Sequence, residues 1–380
     1  MTTPRSVLLS LALALCVIGQ ACGGSDSTPA TDTGSPDSAT DTAADVISVD
    51  ACTVQCDPGY VEQDCACVDQ DECSDGTATC EAPATCQNTD GGFECACPVG
   101  YDPTENGCVL WYAEHYLALT DGVATVDGGG SQSSMLAVHG ARAFPVVQDQ
   151  AKHTFIAAGE FLQGRMVAFG HEAWLKPNLL DDTNDDSGRL VRNAARWVAQ
   201  KPDPTIGYSP AMAGLASHLE ADGLATVAAS PSDLAGLDVF CMEANAGYDD
   251  DAMALIQQFV MQGGGLIAGG QAWWWSYSHE NAPVNYPGNW LANGAGLTWT
   301  ALGNVATGSH EVSPTPLPPV AHGLLALESI KPHLAGTMPL DLSAQQWARA
   351  SIQDTLNGLR PALVDDFPDY LAKATEVSAL

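Results

Sequence analysis

What this 380-residue chain lacks first is positive charge. No Lys or Arg occurs between Arg5 and Arg142, and 46 acids stand against 13 bases for a net charge of −33. Phosphate binding needs basic side chains that release counterions, so nucleic acid is excluded as a partner. Cysteine is nearly missing after Val109, where Cys241 stands alone, and no Walker loop or GxGxxG string supplies a nucleotide cradle. Beyond residues 7–18 no apolar run suggests a membrane span.

What is there begins with a targeting pattern. Arg5 gives a positive start, Val7 to Ile18 is an apolar run too short to cross a bilayer comfortably, and Gly19 and Ala21 lead to Cys22. This looks like a bacterial lipoprotein signal over residues 1–22 with Cys22 lipidated, although Gly19 stands where that pattern prefers Leu or Val. The reading implies an exported protein at an outer membrane or cell surface, held by a lipid anchor, or else a secreted one. Residues 23–50 are Ser, Thr, Pro, Asp, Ala and Gly with almost no large apolar side chain, the composition of a disordered tether.

Cysteine is concentrated where the bases are missing. Cys52, Cys56, Cys65 and Cys67 fall in residues 51–68, where four thiols allow three pairings; the turn Cys56-Asp57-Pro58-Gly59-Tyr60 resembles the CxxGY turn of EGF-like modules, which implies a partial EGF-like segment, and a zinc site is the rival reading. Six more follow in residues 69–109 at Cys73, Cys80, Cys86, Cys95, Cys97 and Cys108, with gaps too short to enclose an apolar core. Such a module must be stapled by disulfides, and spacing alone leaves about fifteen connectivities open. The order of gaps, the CxC pair and the Gly100-Tyr101 turn resemble the calcium-binding EGF-like domains. That resemblance implies the pairs Cys73 with Cys86, Cys80 with Cys95 and Cys97 with Cys108. It also implies Ca2+ as cofactor, held by the side chains of Asp69, Glu72 and Asn88 and the carbonyls of Gln70, Thr89 and Gly92, with Phe93 at the aromatic position that packs on a neighbouring module. A hard cation seeking six to eight oxygens fits that set.

Residues 110–310 change character. Short apolar segments at residues 135–138, 144–147, 154–158 and 166–170 read as strands between Gly-containing turns. A helix capped by Ser187 follows, with Leu190, Val191, Ala194, Ala195, Trp197 and Val198 on one face and Arg189, Arg192 and Arg196 on the other. Strands at 205–207, 225–228, 238–242 and 265–268 then alternate with helices at 211–221 and 249–261, which predicts a parallel, doubly wound sheet. Residues 311–380 carry Pro314, Pro316, Pro318 and Pro319 and no readable motif; they finish this domain or begin another.

Four strings in this region, GRMVAFGHEAWL, RLVRNAARWVA, IQQFVMQGGGLIAGGQAWWW and YPGNWLANGAGL, resemble the N-terminal part of the TRP-channel-associated factor and enhancin-like metallopeptidase group. The resemblance spans about Leu117 to Leu302. It implies a flavodoxin-like α/β three-layer sandwich similar to class I glutamine amidotransferases. In relatives a zinc peptidase domain with a helical HExxH motif follows, and the chain as it stands leaves no room for one. Its His-Glu pairs, His171-Glu172, His279-Glu280 and His310-Glu311, have Leu175, Pro283 and Pro314 where the second His is needed. The amidotransferase nucleophile is missing too: the turn after Leu266 to Ala268 reads Gly269-Gly270-Gln271-Ala272, and Cys241 lies inside an apolar run.

A non-catalytic binding role follows as the expectation. Ligands of open α/β sheets sit beyond the carboxyl ends of the strands. The polar and aromatic residues expected there are His171, Glu172, Glu243, Asn245, Tyr248, Gln271, Trp273, Trp274 and Trp275. Three consecutive tryptophans cannot all face one core, so at least one is exposed to stack on an extracellular glycan or protein ligand, unless all pack on the Pro283 to Gly296 loop. The alternatives are a structural or regulatory partner of another surface protein, and a hydrolase using His171 and Glu172.

Overall fold

A computed structural model of the chain describes residues 54–98, 100–105, 107–303, 307–359 and 372. The expected signal segment 1–22, the lipidation residue Cys22, the tether 23–50 and Cys52 lie outside the described residues.

Residues 54–110 contain three two-stranded ribbons and little apolar interior. Tyr60–Gln63 pairs with Ala66–Asp69, Thr85–Thr89 with Gly92–Ala96, and Tyr101–Pro103 with Cys108–Leu110. Disulfides replace the core: Cys56–Cys67, Cys73–Cys86, Cys80–Cys95 and Cys97–Cys108, with Cys65 also disulfide-bonded. Each closes a loop of 11 to 15 residues, worth about 3 kcal/mol in the chain-entropy account. The first ribbon leans on the second through Tyr60, whose hydroxyl donates to Asp90, and through Gly59, where a Cβ would stand 2.1 Å from the Gly91 carbonyl. Phe93 stays 38% exposed, so the contact between the two modules runs through this tyrosine and these glycines.

The larger part is built on a seven-stranded sheet. Its strands are β1 (Ala143–Gln148), β2 (Thr154–Phe161), β3 (Gly164–Phe169), β4 (Thr205–Tyr208), β5 (Ala225–Ala228), β6 (Val239–Glu243) and β7 (Gly265–Gly269), in the spatial order β5-β4-β6-β7-β3-β2-β1. Pairs among β5, β4, β6, β7 and β3 are parallel, whereas β2 runs antiparallel to both β1 and β3. The sheet is therefore mixed, which corrects the expected all-parallel winding. Two residues join β2 to β3 and five join β1 to β2, and a parallel crossover needs a dozen or more. β4 to β7 hold the lateral order 2-1-3-4 of a flavodoxin-like sheet, but the fifth place belongs to β3, which precedes them in the chain.

Strand alternation sends side chains into two apolar layers. Val239 and Cys241 face one layer with helices α1 (Ala113–Thr120), α2 (Ser187–Ala199) and α3 (Ala213–Ala221), while Phe240 and Met242 face the other with α4 (Asp250–Met261). In α2 the expected apolar face is buried, and its arginines pair outward, Arg189 with Asp186 and both Arg192 and Arg196 with Asp222. Such exposed pairs are worth at most about 1 kcal/mol each, so burial carries the helix. The expected strand at 135–138 is Leu136–Val138, and it pairs with Leu297–Trp299 outside the main sheet. Further on, Ser309–Glu311 pairs with Thr125–Asp127, and helices α5 (Gly323–Leu334) and α6 (Leu342–Leu359) pack together, α6 also against Leu136–Val138.

Two buried histidines tie these outer pieces. His139 Nε2 lies 3.1 Å from Thr298 Oγ1, and His322 Nε2 donates to the Gly140 carbonyl while its Nδ1 caps α5 at Leu324 and Leu325. Burial depresses the pKa of His139 to about 3 and of His322 to about 4. The unfolded chain takes up protons near pH 6.5 and the folded chain does not, so stability falls as pH drops from about 6.5 toward 4. Asp354, raised by burial to about 6, works in the opposite sense between pH 6 and 4 and offsets one of the two. Urea midpoints from pH 7 to 4.5 are expected to show His139→Gln flattening this dependence by about 1.4 kcal/mol per pH unit; an unchanged slope would mean that His139 charges inside the fold.

Candidate functional site

The register of the parallel strands sets the site. Gly269 pairs with Phe169 of β3 on one side and Glu243 of β6 on the other. The residues that leave these strands therefore emerge together: Gly170-His171-Glu172 after β3, Ala244-Asn245 after β6, and Gly270-Gln271 after β7. Close approach requires the Gly269-Gly270 pair. A Cβ on Gly269 would lie 2.9 Å from the Glu172 Cα, and one on Gly270 would lie 2.0 Å from the Tyr286 hydroxyl.

His171 caps a short 3-10 turn, Glu172–Leu175, by accepting from the Ala173 N–H at 2.9 Å. The neutral ring therefore carries its proton on Nε2. Gln271 Nε2 reaches both Glu172 carboxylate oxygens at 3.0 Å and His171 Nδ1 at 3.3 Å. Lys176, one turn past Glu172, stands 3.7 Å from Glu172 and 3.8 Å from Glu243 and so bridges the ends of β3 and β6. Burial lowers the pKa of His171, with the Lys176 charge adding to it and Glu172 opposing. Beneath them Tyr286 is 1% exposed, and its hydroxyl, like Asn245 Oδ1, has no hydrogen bond of ordinary geometry among the described residues. Burial raises the pKa of Tyr286 well above its ordinary value. Tyr248, half-buried and raised for the same reason, stands beside Ser209.

The three tryptophans fan out from Gln271 along a single helical turn, Ala272–Trp275. Trp273 donates its indole N–H to the Gln132 carbonyl, Trp275 stacks on His279 at 3.8 Å and meets Tyr286 edge-on, and Trp274 is 57% exposed. Tyr277, edge-on to Trp273, is 78% exposed. Strand ends thus gather His171, Glu172, Glu243 and Gln271, and the turn after β7 sets an aromatic rim beside them. Lys176 and Tyr286 were not picked out from sequence. The Glu172 to Lys176 spacing of four was a usable signal for the first; Tyr286 reaches the site from a separate loop. Cys241 is fully buried in the sheet, where desolvation raises its thiol pKa and suits a core residue.

The calcium donor set can be tested against the residues present. Asp69 accepts from Asn88 Nδ2 at 2.7 Å and from the Gly91 N–H at 2.6 Å, which draws two of the expected donors together. Glu72 is 8% exposed, its Oε2 has no hydrogen-bond partner, and its helix packs on the strand that carries Asn88 and Thr89. A buried carboxylate oxygen without a donor is costly in a protein and fits a cation. Among the described residues no group of three or more His, Cys, Asp or Glu converges on one point; the expected set holds two acids, the remainder being amide and carbonyl oxygens.

Because Lys176 and Glu172 act on His171 with opposite signs, two substitutions separate them. Lys176→Met is expected to raise the His171 pKa toward its ordinary value, and Glu172→Gln to lower it further, as read from the imidazole resonances in an NMR titration. Shifts of the same sign in both variants would contradict the geometry.

Comparison with known proteins places both parts. Residues 69–108 match the family model for the calcium-binding EGF domain, and residues 108–314 match the model described as TRPM8, N-terminal domain (TCAF_N). The TRPM8 channel-associated factor homolog of Xenopus laevis is 34% identical over 191 residues, covering 50% of this chain and 20% of that protein. TRPM8 channel-associated factor 2 of Bos taurus is 36% identical over 194 residues with the same coverage. The chain thus spans about a fifth of the length of these relatives. Among solved structures, IMPa from Pseudomonas aeruginosa in complex with an O-glycopeptide aligns with a TM-score of 0.39 at 15% identity, covering 49% of this chain and 21% of that one. With more than half of its residues inside one family model, the chain belongs to the family of the TRPM8 channel-associated factor N-terminal domain, here preceded by a calcium-binding EGF domain.

Proposed function

We propose that this chain is an exported, non-catalytic recognition protein in which a calcium-loaded, disulfide-stapled module presents the rim at the strand ends to an extracellular ligand. The observation that carries this reading is the exposure of Trp274 and Tyr277 on and just after the helical turn that begins at Gln271, whose amide bonds Glu172 and His171. Flat aromatic faces next to fixed donors and acceptors are how proteins hold sugar rings, by stacking plus directed hydrogen bonds. The unpartnered Asn245 Oδ1 gives the same edge spare hydrogen-bonding capacity. Ca2+ would be held by Asp69, Glu72 and Asn88 with the carbonyls of Gln70, Thr89 and Gly92, where it supplies a rigid crosslink rather than reactivity. Cys22 lipidation would attach the tether to a membrane.

A protein ligand is the second reading. Val284 and Trp290, on helical turns packed in series with that of Trp274, are 48% and 41% exposed, and apolar side chains standing out on neighbouring elements suit a macromolecular interface. The relatives' names describe association with a channel, which accords with this alternative.

A glycan array probed with the chain, with calcium and with chelator, tests the first reading. Expected is binding that falls at least about tenfold in Trp274→Ala, a loss of the size of one stacking contact. Silence on every sugar transfers the assignment to a protein partner, and turnover abolished by His171→Ala would overturn the non-catalytic reading. Separately, calorimetric titration should give a calcium affinity in the millimolar to submillimolar range of extracellular modules, lost in Asp69→Ala. Absence of heat at several millimolar calcium would remove the cofactor.

A further inference from the structure

We propose a second binding site, for an organic carboxylate with an apolar body, in the groove between the β1–β2 turn and helices α5 and α6. This groove has a volume of about 840 Å3. It lies at the β1 end of the sheet, three strands along from Gln271. Ile330, Leu334 and Ile352 give it an apolar lining, while Arg349, His333 and His153 stand with four glutamines as its polar groups, and no carboxylate among the described residues lines it.

In a chain with 46 acids and 13 bases, a groove without an acid among its described lining residues is unusual in itself, and its arginine makes the point sharper. Arg142, Arg165, Arg189, Arg192 and Arg196 each pair with an Asp or Glu, whereas Arg349 has no carboxylate partner among the described residues. A guanidinium presents a planar fork of donors that matches a carboxylate. The two histidines add donors of the same sense. His333 Nδ1 accepts from the Leu340 N–H, so its neutral ring keeps the proton on Nε2. His153 Nδ1 donates at 2.9 Å to Asp354, which is 2% exposed; that hydrogen bond raises the pKa of the imidazole, and Nε2 donates once the ring is protonated. The asymmetry of the walls, apolar on one part and cationic or amide on the other, selects a ligand of the same asymmetry.

Two sources of that chemistry are distinguishable on the intact chain by calorimetry. One pair of probes is octanoate and octanamide; the other is the tripeptide acetyl-Ala-Ala-Leu with a free and with an amidated C-terminus. At least one acid is expected to bind with a dissociation constant in the millimolar range or below, about tenfold more tightly than its own amide, and Arg349→Gln should remove that preference. The better acid identifies the source as a fatty acid or a peptide terminus. No heat from either acid, equal binding of acid and amide, or a preference that survives Arg349→Gln each overturns the proposal. The acid against amide comparison needs no variant, and Arg349 is exposed, so its replacement leaves the core intact.

Discussion

Everything at the carboxyl edge of the sheet depends on one backbone constraint, the parallel ladder in which Gly269 is shared by β3 and β6. Parallel pairing makes consecutive strands end on the same edge, and the register makes them end level. His171, Asn245 and Gln271 each stand two residues beyond that shared rung, so residues separated by up to a hundred positions meet within hydrogen-bond distance. The small residues follow from the same constraint. With β7 between two neighbours and Tyr286 capping its end, a Cβ on Gly270 would occupy the space of the phenol oxygen. The glycine-rich string before the tryptophans is thus a packing requirement, not a phosphate loop, and it leaves the first polar side chain after β7 to be Gln271.

The second organising constraint is the scarcity of positive charge. Arg142, the first cation after Arg5, is placed where the stapled module meets the sheet domain: its guanidinium lies 5.0 Å from the Trp111 ring and 3.9 Å from Asp102. The neighbouring contacts are apolar or backbone, with the Trp111 N–H donating to the Gly100 carbonyl and Leu325 filling the space against Gly100. The junction combines one cation–π contact, one exposed ion pair, glycine-permitted packing and the seating of Leu110 and Trp111 on the apolar layer of the sheet domain. Lys176 shows the same economy, one ammonium between two carboxylates that would otherwise repel across the β3 and β6 ends.

Much of this was legible before any coordinates, and the reasons are local. The apolar face of α2, the strands around residues 166–170 and 265–268, and the gathering of His171, Glu172, Glu243 and Gln271 follow from side-chain periodicity plus the rule that ligands sit at carboxyl ends. The direction of β2 is hidden in the apolar pattern because alternating apolar segments look the same in either direction; the turn lengths carry the answer, since two residues at Leu162-Gln163 cannot make a crossover. Tyr286 was illegible for a different reason. It lies in a loop of Asn, Pro and Gly, and its role appears only once Leu297–Trp299 has folded back to Leu136–Val138 and brought that loop over β7. Long-range closure of this kind leaves no periodic mark.

The unpartnered atoms make the last argument. Interiors rarely leave a buried oxygen without a donor, and doing so costs about 1–3 kcal/mol for each neutral group. Among the unpartnered buried atoms of the described residues, Glu72 Oε2 belongs to the stapled module's acidic set, Asn245 Oδ1 and the Tyr286 hydroxyl lie at the carboxyl edge of the sheet, and Ser209 Oγ, His310 Nε2, Ser351 Oγ and Asn357 Nδ2 complete the set. Removing the first three would have been simple, since Phe, Leu or Ala would fill much the same space. Polar atoms kept at those positions are consistent with a folded state that is completed from outside, by a cation in the module and by a hydrogen-bonding ligand at the edge. Stability and recognition then oppose each other at defined atoms, and the disulfides and the two apolar layers supply the reserve against which those open positions are maintained.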